Sequence, residues 1–230
     1  MKTVGIIGGI GPEYTIEYYR LIVSSYLDYD KHGNYPQIII NSINMKTMLD
    51  LIGENKLTEV AEYLVAEIHK LAKAGADFAL LASNTPHIVY DRINKISPLP
   101  FVSIVEATCD EVKKKGLKRV GLFGTKFTMQ SGFYNQIFSK NNIAVIVPEE
   151  REQQYIHDKY MGELVKGVIR DETKNALLNI IDNLKDNNDI EGLILGGTEL
   201  PFILKETDAR EIPFFDTTKI HVESIMKRLT

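Results

Sequence analysis

The sequence predicts a parallel α/β protein built from two similar halves, and three observations support this class. Short apolar runs alternate with helix-like segments, several runs end abruptly in small polar residues, and the pattern recurs at offsets of 114–116 residues. Buried parallel strands have this character because helices cover both faces of their sheet. In open sheets of this type, ligands bind at the carboxyl ends of the strands.

The first half begins with a short buried strand and a glycine turn, where Pro12 suits the first turn of a helix. Apolar residues such as Leu57, Leu64 and Leu71 recur at helical spacing and predict a helix over 56–74, with Gly75 as its C-cap. The predicted strands of this half are 4–8, 37–42, 78–82 and 101–104.

The second half restarts with a helix over 106–115 that Gly116 ends. Thr128 is a candidate N-cap for a helix through Ile137, and Asp171 for one through Leu184. A charged helical region is predicted from Glu149 to about Ile169, and a helix to Leu229 closes the chain. The predicted strands of this half are 119–124, 144–147, 192–195 and 214–216.

An internal repeat predicts the domain organisation. Residues 4–9 align with 120–125 at an offset of 116, which also relates Tyr18 to Tyr134, and residues 80–83 align with 194–197 at an offset of 114. Coincidence among short apolar strings is the alternative explanation. Two halves of similar design predict two pseudo-symmetric, Rossmann-like lobes that face each other across one cleft holding the site. The predicted lobes are 1–102 with 212–230, and 103–211.

Composition excludes several classes of function. The 230 residues are 44% hydrophobic and 25% charged, with a net charge of −4 and scattered basic residues, so no nucleic-acid partner is expected. No apolar segment reaches membrane-spanning length, so no membrane partner is expected either. The opening residues leave no room for a signal peptide, so a cytoplasmic location is the default expectation. The single cysteine, Cys109, excludes an internal disulfide and reads as a packing residue beside acidic neighbours. The histidines lack metal-type spacing, and no metal is predicted.

The glycine turn after the first strand invites comparison with a dinucleotide-binding motif. The G-x-G-x-x-G pattern fails, because Tyr14 stands where the third glycine belongs after Gly9 and Gly11. The second strand also ends in Asn41 and Ser42 instead of the acidic residue that holds a ribose. The turn is better suited to presenting backbone N–H groups to a small carboxylate.

Polar side chains gather at the predicted strand ends, around 83–85, 125–128 and 197–199. They either form turns and helix caps or line a shared pocket, and the recurrence of such clusters at equivalent strand ends favours the pocket. His87, one turn beyond Ser83, either reaches that pocket or caps and packs. Lys166 either neutralises a substrate carboxylate or lies on the surface.

At these residues the chain resembles the aspartate/glutamate racemase family of cofactor-independent amino-acid racemases. The likeness runs over nearly the full length. It rests on segments 5–13, 84–87, 124–129 and 195–201, together with Tyr18, Tyr19, Phe133 and Tyr134. The resemblance implies two pseudo-symmetric lobes, a small acidic amino acid or dicarboxylate as ligand, no cofactor, and a homodimer.

Family chemistry uses two cysteines, in C-N-T and G-C-T-E contexts, that remove and deliver the α-proton on opposite faces of the substrate. A thiol suits both roles because its pKa of about 8.5 needs only modest tuning. Here Ser83 and Gly197 stand at those positions. Since a serine hydroxyl is far less acidic and glycine has no side chain, two-thiol racemisation is not supported. His87 and Glu199 are the candidate substitutes.

Three hypotheses therefore stay open for activity. The chain is an enzyme of this superfamily with altered acid/base groups, a catalytically silent homologue that binds the ligand as a sensor or partner, or a racemase whose cysteines were replaced to trap a ligand.

Residue roles carried over by resemblance divide into three groups. The α-carboxylate and ammonium would be held by Gly9, Ile10, Thr85, Thr125 and Thr128; the distal group by Ser42 and Lys166; and Asn84 and Thr198 would orient whatever occupies positions 83 and 197.

Overall fold

A computed structural model describes residues 2–208 and 211–230, and these residues form two compact units. The first unit runs to Ala107 and includes Thr218–Thr230; the second is Thr108–Thr217. These limits differ from the predicted lobes of 1–102 with 212–230, and 103–211. The strand Phe214–Asp216 pairs with Gly192–Leu195, so it lies in the second unit.

The first unit contains a four-stranded parallel sheet flanked by helices. Its strands are β1 (Thr3–Gly8), β2 (Gln37–Ser42), β3 (Phe78–Leu81) and β4 (Phe101–Val102), in the order β2-β1-β3-β4. Its helices are α1 (Pro12–Tyr29), α2 (Met45–Gly53), α3 (Leu57–Lys73) and α4 (Tyr90–Ile96), with a 3₁₀ turn at Thr85–Val89. The helix α5 (Ile104–Lys114) follows β4 and continues into the second unit.

The second unit repeats this sheet. Its strands are β5 (Arg119–Phe123), β6 (Ala144–Ile146), β7 (Gly192–Leu195) and β8 (Phe214–Asp216), in the order β6-β5-β7-β8. Its helices are α6 (Lys126–Gln130), α7 (Phe133–Phe138), α8 (Glu150–Gly162), α9 (Asp171–Asn188) and α10 (Leu200–Ile203). The helix α11 (Thr217–Leu229) follows β8, and from Thr218 onward it belongs to the first unit. The predicted α/β class is confirmed, with two four-stranded parallel sheets of identical strand order.

Apolar strand and helix faces form a separate core in each unit. In the first, Val4, Ile6 and Leu80 pack with Tyr18 and with Ile225 of α11. In the second, a cluster that joins α8, α9 and β7 includes Ile156, Ile181, Leu193 and Leu200. Each sheet is therefore rigidly supported, and its strand ends are held in place for use as a site.

Two buried tyrosines, Tyr18 and Tyr134, are related by the 116-residue offset of the repeat. Each is hydrogen-bonded to a helix that directly follows a strand, α11 after β8 or α5 after β4. The Tyr18 hydroxyl lies 2.8 Å from Nδ1 of His221 in α11, and His221 Nε2 lies 3.0 Å from the Val102 carbonyl oxygen. The equivalent Tyr134 is hydrogen-bonded to the Thr108 side chain of α5. The chain therefore passes from one unit to the other twice, within α5 after β4 and within α11 after β8.

Local details depart from the sequence-based predictions. Asp171 does not cap α9 but is its first residue, with Arg170 at the N-cap position. Thr125 and not Thr128 caps the helix after β5, because its hydroxyl accepts the Thr128 N–H at 3.1 Å. That helix is interrupted at Gly132, whose left-handed φ of 76° separates α6 from α7. The helix α2, capped by the Asn44 side chain, was not predicted at all.

The described residues contain neither a membrane-spanning helix nor a metal-binding cluster. Across 2–208 and 211–230, no helix is long and apolar enough to cross a membrane. Within the same residues, no group of three or more His, Cys, Asp or Glu side chains is arranged to hold a metal ion.

Candidate functional site

The carboxyl ends of β1 and β2 meet closely at Gly9. Gly8 pairs with Ser42 in the parallel register, and the Ile43 N–H donates to the Gly8 carbonyl at 3.0 Å. A Cβ on Gly9 would overlap the Ile43 carbonyl oxygen and lie 2.7 Å from the Ser42 hydroxyl. With a φ of +76°, position 9 therefore requires glycine both for its backbone conformation and for space.

The turn that follows is fixed by a buried threonine. The Gly9 N–H donates to Thr15 Oγ1 at 2.9 Å, and Ile10 is buried behind the turn. Ser42, in contrast, is exposed at the end of β2. The Gly9 N–H is thus already engaged within the protein.

The end of β3 supplies a second set of polar groups on the same edge, because the Ala82 N–H continues the pairing with Ile7 at 3.0 Å. Ser83 and Thr85 are half-buried, while Asn84 is buried with 3% of its surface exposed. Hydroxyls of residues 83 and 85 are therefore the partly accessible groups of this strand end.

His87 is held by two backbone groups. Its Nδ1 lies 3.0 Å from the Ser83 carbonyl oxygen, and its Nε2 accepts the Ile104 N–H at 3.4 Å. Its ring stacks on Tyr90 with centroids 5.8 Å apart and is 2% exposed. Burial lowers the pKa of His87 to about 4. The imidazole is therefore neutral and fully engaged, which favours a role in positioning the 83–85 loop over proton transfer.

The second sheet has an equally tight edge between β5 and β7. The Gly196 N–H donates to the Phe123 carbonyl at 2.7 Å, and a Cβ on Gly124 would lie 3.0 Å from the Gly196 carbonyl oxygen. Thr125 is half-buried and Thr128 is buried, with their hydroxyl oxygens 3.0 Å apart. The two hydroxyls therefore share one hydrogen bond, in which either is the donor.

Glu199 is the most unusual group at this edge. It follows β7, is 2% exposed, and accepts a hydrogen bond from the Thr198 hydroxyl at 3.0 Å. No ion pair to Glu199 is found among residues 2–208 and 211–230. Burial raises the pKa of the Glu199 carboxyl to about 8, against the smaller opposing effect of its own backbone N–H. A carboxyl with such a pKa can both release and accept a proton near neutral pH.

Comparison with known proteins assigns the family. Residues 7–225 match the sequence profile of the Asp/Glu/Hydantoin racemases. The chain belongs to this family.

Its relatives cover the whole chain. A broad specificity amino-acid racemase, RacX of Bacillus subtilis (strain 168), is 26% identical over 222 residues, 94% of this chain and 92% of RacX. A crystal structure from Yersinia pestis assigned to the Asp/Glu racemases superposes with a TM-score of 0.93 at 31% identity, over 100% of this chain and 99% of the other. An aspartate racemase homologue from Pyrococcus horikoshii gives a TM-score of 0.88 at 32% identity, with the same coverage. Family membership supports a racemase-type function.

The racemase-family chain brings most of the predicted residues to the carboxyl edges of its two sheets. The first edge collects Gly9, Ile10, Ser42, Ser83, Asn84 and Thr85; the second collects Thr125, Thr128, Gly197, Thr198 and Glu199. Lys166 is the exception, because it lies exposed in the 3₁₀ turn Leu164–Lys166 after α8, and no interaction found connects it to either edge.

One residue at the second edge was missed by the sequence analysis. A Cβ built on the buried Gly197 would overlap Cε2 of Tyr160 and lie 2.8 Å from its hydroxyl oxygen. Tyr160 lies 37 positions earlier, in α8, and no local pattern links it to β7.

Glu199 gives the racemase-family protein a predicted dependence of stability on pH. Because its folded pKa of about 8 lies above the unfolded value of about 4.3, the folded chain retains an extra proton between these values. Its contribution to stability is complete below about pH 4.3 and lost as pH rises through about 8. His87 and His221, with pKa values lowered to about 4 and about 3, act in the opposite sense only below about pH 6.5.

Between pH 6.5 and 8, we therefore expect the free energy of unfolding to fall with pH at up to about 1.4 kcal/mol per pH unit. Glu199→Gln should remove this slope, whereas the exposed control Glu206→Gln should keep it. Urea denaturation at several pH values measures both. If the slope were unchanged in Glu199→Gln, the Glu199 carboxyl of the folded wild type would already be ionised in this pH range.

Proposed function

We propose that this racemase-family protein binds a small acidic amino acid or dicarboxylate and exchanges its α-proton through the Glu199 carboxyl, without a thiol. The buried Glu199, with its pKa of about 8, is the observation on which the proposal rests. Proton transfer by a positioned group is most effective when its pKa lies near the working pH. Among the groups at the two edges, Glu199 meets that condition and His87 does not.

The names of the relatives support the proposed ligand class. Two structural relatives carry names that refer to aspartate or to Asp/Glu, while the name of RacX states broad specificity. Aspartate and glutamate are therefore the first ligands to test, and alanine is the neutral comparison. The proposed polar contact at the edge that carries Glu199 comes from the half-buried hydroxyl of Thr198. Thr85, half-buried at the edge of the first sheet, is a separate candidate for ligand binding.

Proton exchange at an α-carbon needs a base, and inversion needs a proton donor on the opposite face. Glu199 is proposed as the base when ionised, and Thr198 as the residue that orients it through the 3.0 Å hydrogen bond. Ser83 contributes a hydroxyl at the first edge but no group that ionises near neutral pH. We therefore expect exchange to be more efficient than inversion.

A catalytically silent binding protein is the second candidate. The specific observation in its favour is that His87, the histidine nearest Ser83, has both ring nitrogens engaged by the backbone. Gly197, at the second family thiol position, has no side chain. Neither His87 nor position 197 therefore supplies a proton-transfer group. This candidate predicts binding without exchange. A homodimer stays a prediction for either candidate.

Binding measurements on two threonine variants test the proposed site. We expect Thr85→Ala and Thr198→Ala each to raise the Kd for aspartate or glutamate about tenfold, the cost of one hydrogen bond to a charged group. Thr47→Ala in α2 and Thr207→Ala near the end of α10 are exposed controls that should bind normally. Isothermal titration calorimetry measures all five proteins. Wild-type affinity in both Thr85→Ala and Thr198→Ala would exclude this site.

A further inference from the structure

The space beside Gly197 is already occupied. An ideal Cβ there would lie 2.8 Å from the Tyr160 hydroxyl oxygen and 2.9 Å from its Cζ, closer than real Cβ atoms come to any neighbour. Carbon contacts are normally about 3.5–4.0 Å. The phenol end of Tyr160 therefore fills the volume that any larger side chain at position 197 would use.

The body of Tyr160 is fixed in the core of its unit. The side chain is 6% exposed and belongs to the apolar cluster that includes Ile156, Leu164 and Leu195. A tyrosine anchored in this way presents its polar tip at a defined point. That tip lies next to Gly197, two residues before Glu199.

The hydroxyl is available at that point. Among the hydrogen bonds found within residues 2–208 and 211–230, none uses the Tyr160 hydroxyl. Some fully buried polar atoms in this part of the chain have no partner, such as Ser131 Oγ, but the Tyr160 hydroxyl oxygen is not one of them. A partly buried phenol with no internal partner gains most from a ligand that accepts its hydrogen bond.

We propose that Tyr160 takes the place of the side chain missing at position 197 and donates a hydrogen bond from its phenol to the bound acidic ligand. This inference rests on the proposed function, because it concerns the same ligand. It makes Tyr160 a residue for ligand recognition, and it accounts for glycine at position 197 as the residue that leaves room for the phenol.

Titration of two tyrosine variants tests the hydrogen bond. Tyr160→Phe keeps the ring and removes the donor, so it should raise the Kd for aspartate or glutamate about tenfold and leave the melting temperature within a few degrees. Tyr155→Phe, five residues earlier in α8 and half-buried, is the matched control and should bind like the wild type. Equal affinity of Tyr160→Phe and wild type would overturn the inference. Failure of the unmutated chain to bind would instead overturn the proposed function, and this inference with it.

A double-mutant cycle of stability, measured without any ligand, tests whether Tyr160 occupies the volume beside Gly197. Gly197→Cys should lower the melting temperature in the wild-type background, because its side chain displaces the Tyr160 ring. The same change should cost much less in a Tyr160→Ala background, where the volume is vacant. Additive effects of the two substitutions would show that Tyr160 does not occupy the place of side chain 197.

Discussion

Replacing Glu199 with glutamine should slow exchange of the ligand's α-proton by about 10²- to 10⁴-fold, the contribution typical of a positioned acid/base group. Glutamine has nearly the same shape, and its amide oxygen can still accept the Thr198 hydroxyl, which lies 3.0 Å from Glu199 Oε2. The variant therefore removes the ionisable group with little change in packing. Exchange is measured in deuterated water by following the Cα–H signal in NMR spectra.

The pH profile separates a direct role from a structural one. In the wild type, kcat/KM for exchange should rise with pH through about 8, as Glu199 ionises, and then level off. The residual rate of Glu199→Gln should lack this step, while the exposed control Glu206→Gln should retain the full rate and profile. A Glu199→Gln rate within threefold of the wild type would assign the proton transfer to another group.

Gly9→Ala should be among the most destabilising single substitutions in the chain. The left-handed φ of +76° costs a non-glycine residue about 1–2 kcal/mol. The new Cβ would also overlap the Ile43 carbonyl oxygen, which belongs to the backbone and cannot rotate away. This overlap adds about 1–3 kcal/mol, because the ends of β1 and β2 must separate.

Gly33→Ala is the matched control for the backbone effect. Its φ of +82° is similar, but no atom lies within 4 Å of the added Cβ, so it should cost only about 1–2 kcal/mol. Urea denaturation of both variants measures the difference. Equal losses of unfolding free energy would mean that the β1–β2 edge is free to relax, and that Gly9 is needed for its φ alone.

The sequence predicted the sheets well, and the signal is strongest in the central strands, which are buried on both faces. The apolar runs from Val4 and from Val120 mark the central strands β1 and β5, and the 116-residue offset between them predicts two equivalent sheets. The edge strands were predicted as well, whereas a short helix was less visible. The helix α2 was not predicted although Met45, Met48 and Ile52 have helical spacing, because its nine residues make only about two and a half turns.

Long-range contacts account for what the sequence could not indicate. The neutral, backbone-bound state of His87 depends on Ile104, and the packing of α11 on the first unit depends on the contact between Tyr18 and His221. The position of Tyr160 beside Gly197 likewise joins α8 to the end of β7. Glu199 was predicted as a candidate from its position after β7, but its raised pKa became apparent only from its burial.

The most direct test of proton exchange without a thiol is to measure it in a protein that contains none. Cys109 is the only cysteine and is buried in α5, so Cys109→Ala yields a thiol-free chain. Incubated in deuterated water with each enantiomer of aspartate and glutamate, this variant should exchange the α-proton at the wild-type rate. Saturable binding without exchange, in the variant and the wild type alike, would contradict the role of Glu199 and identify a silent ligand-binding protein.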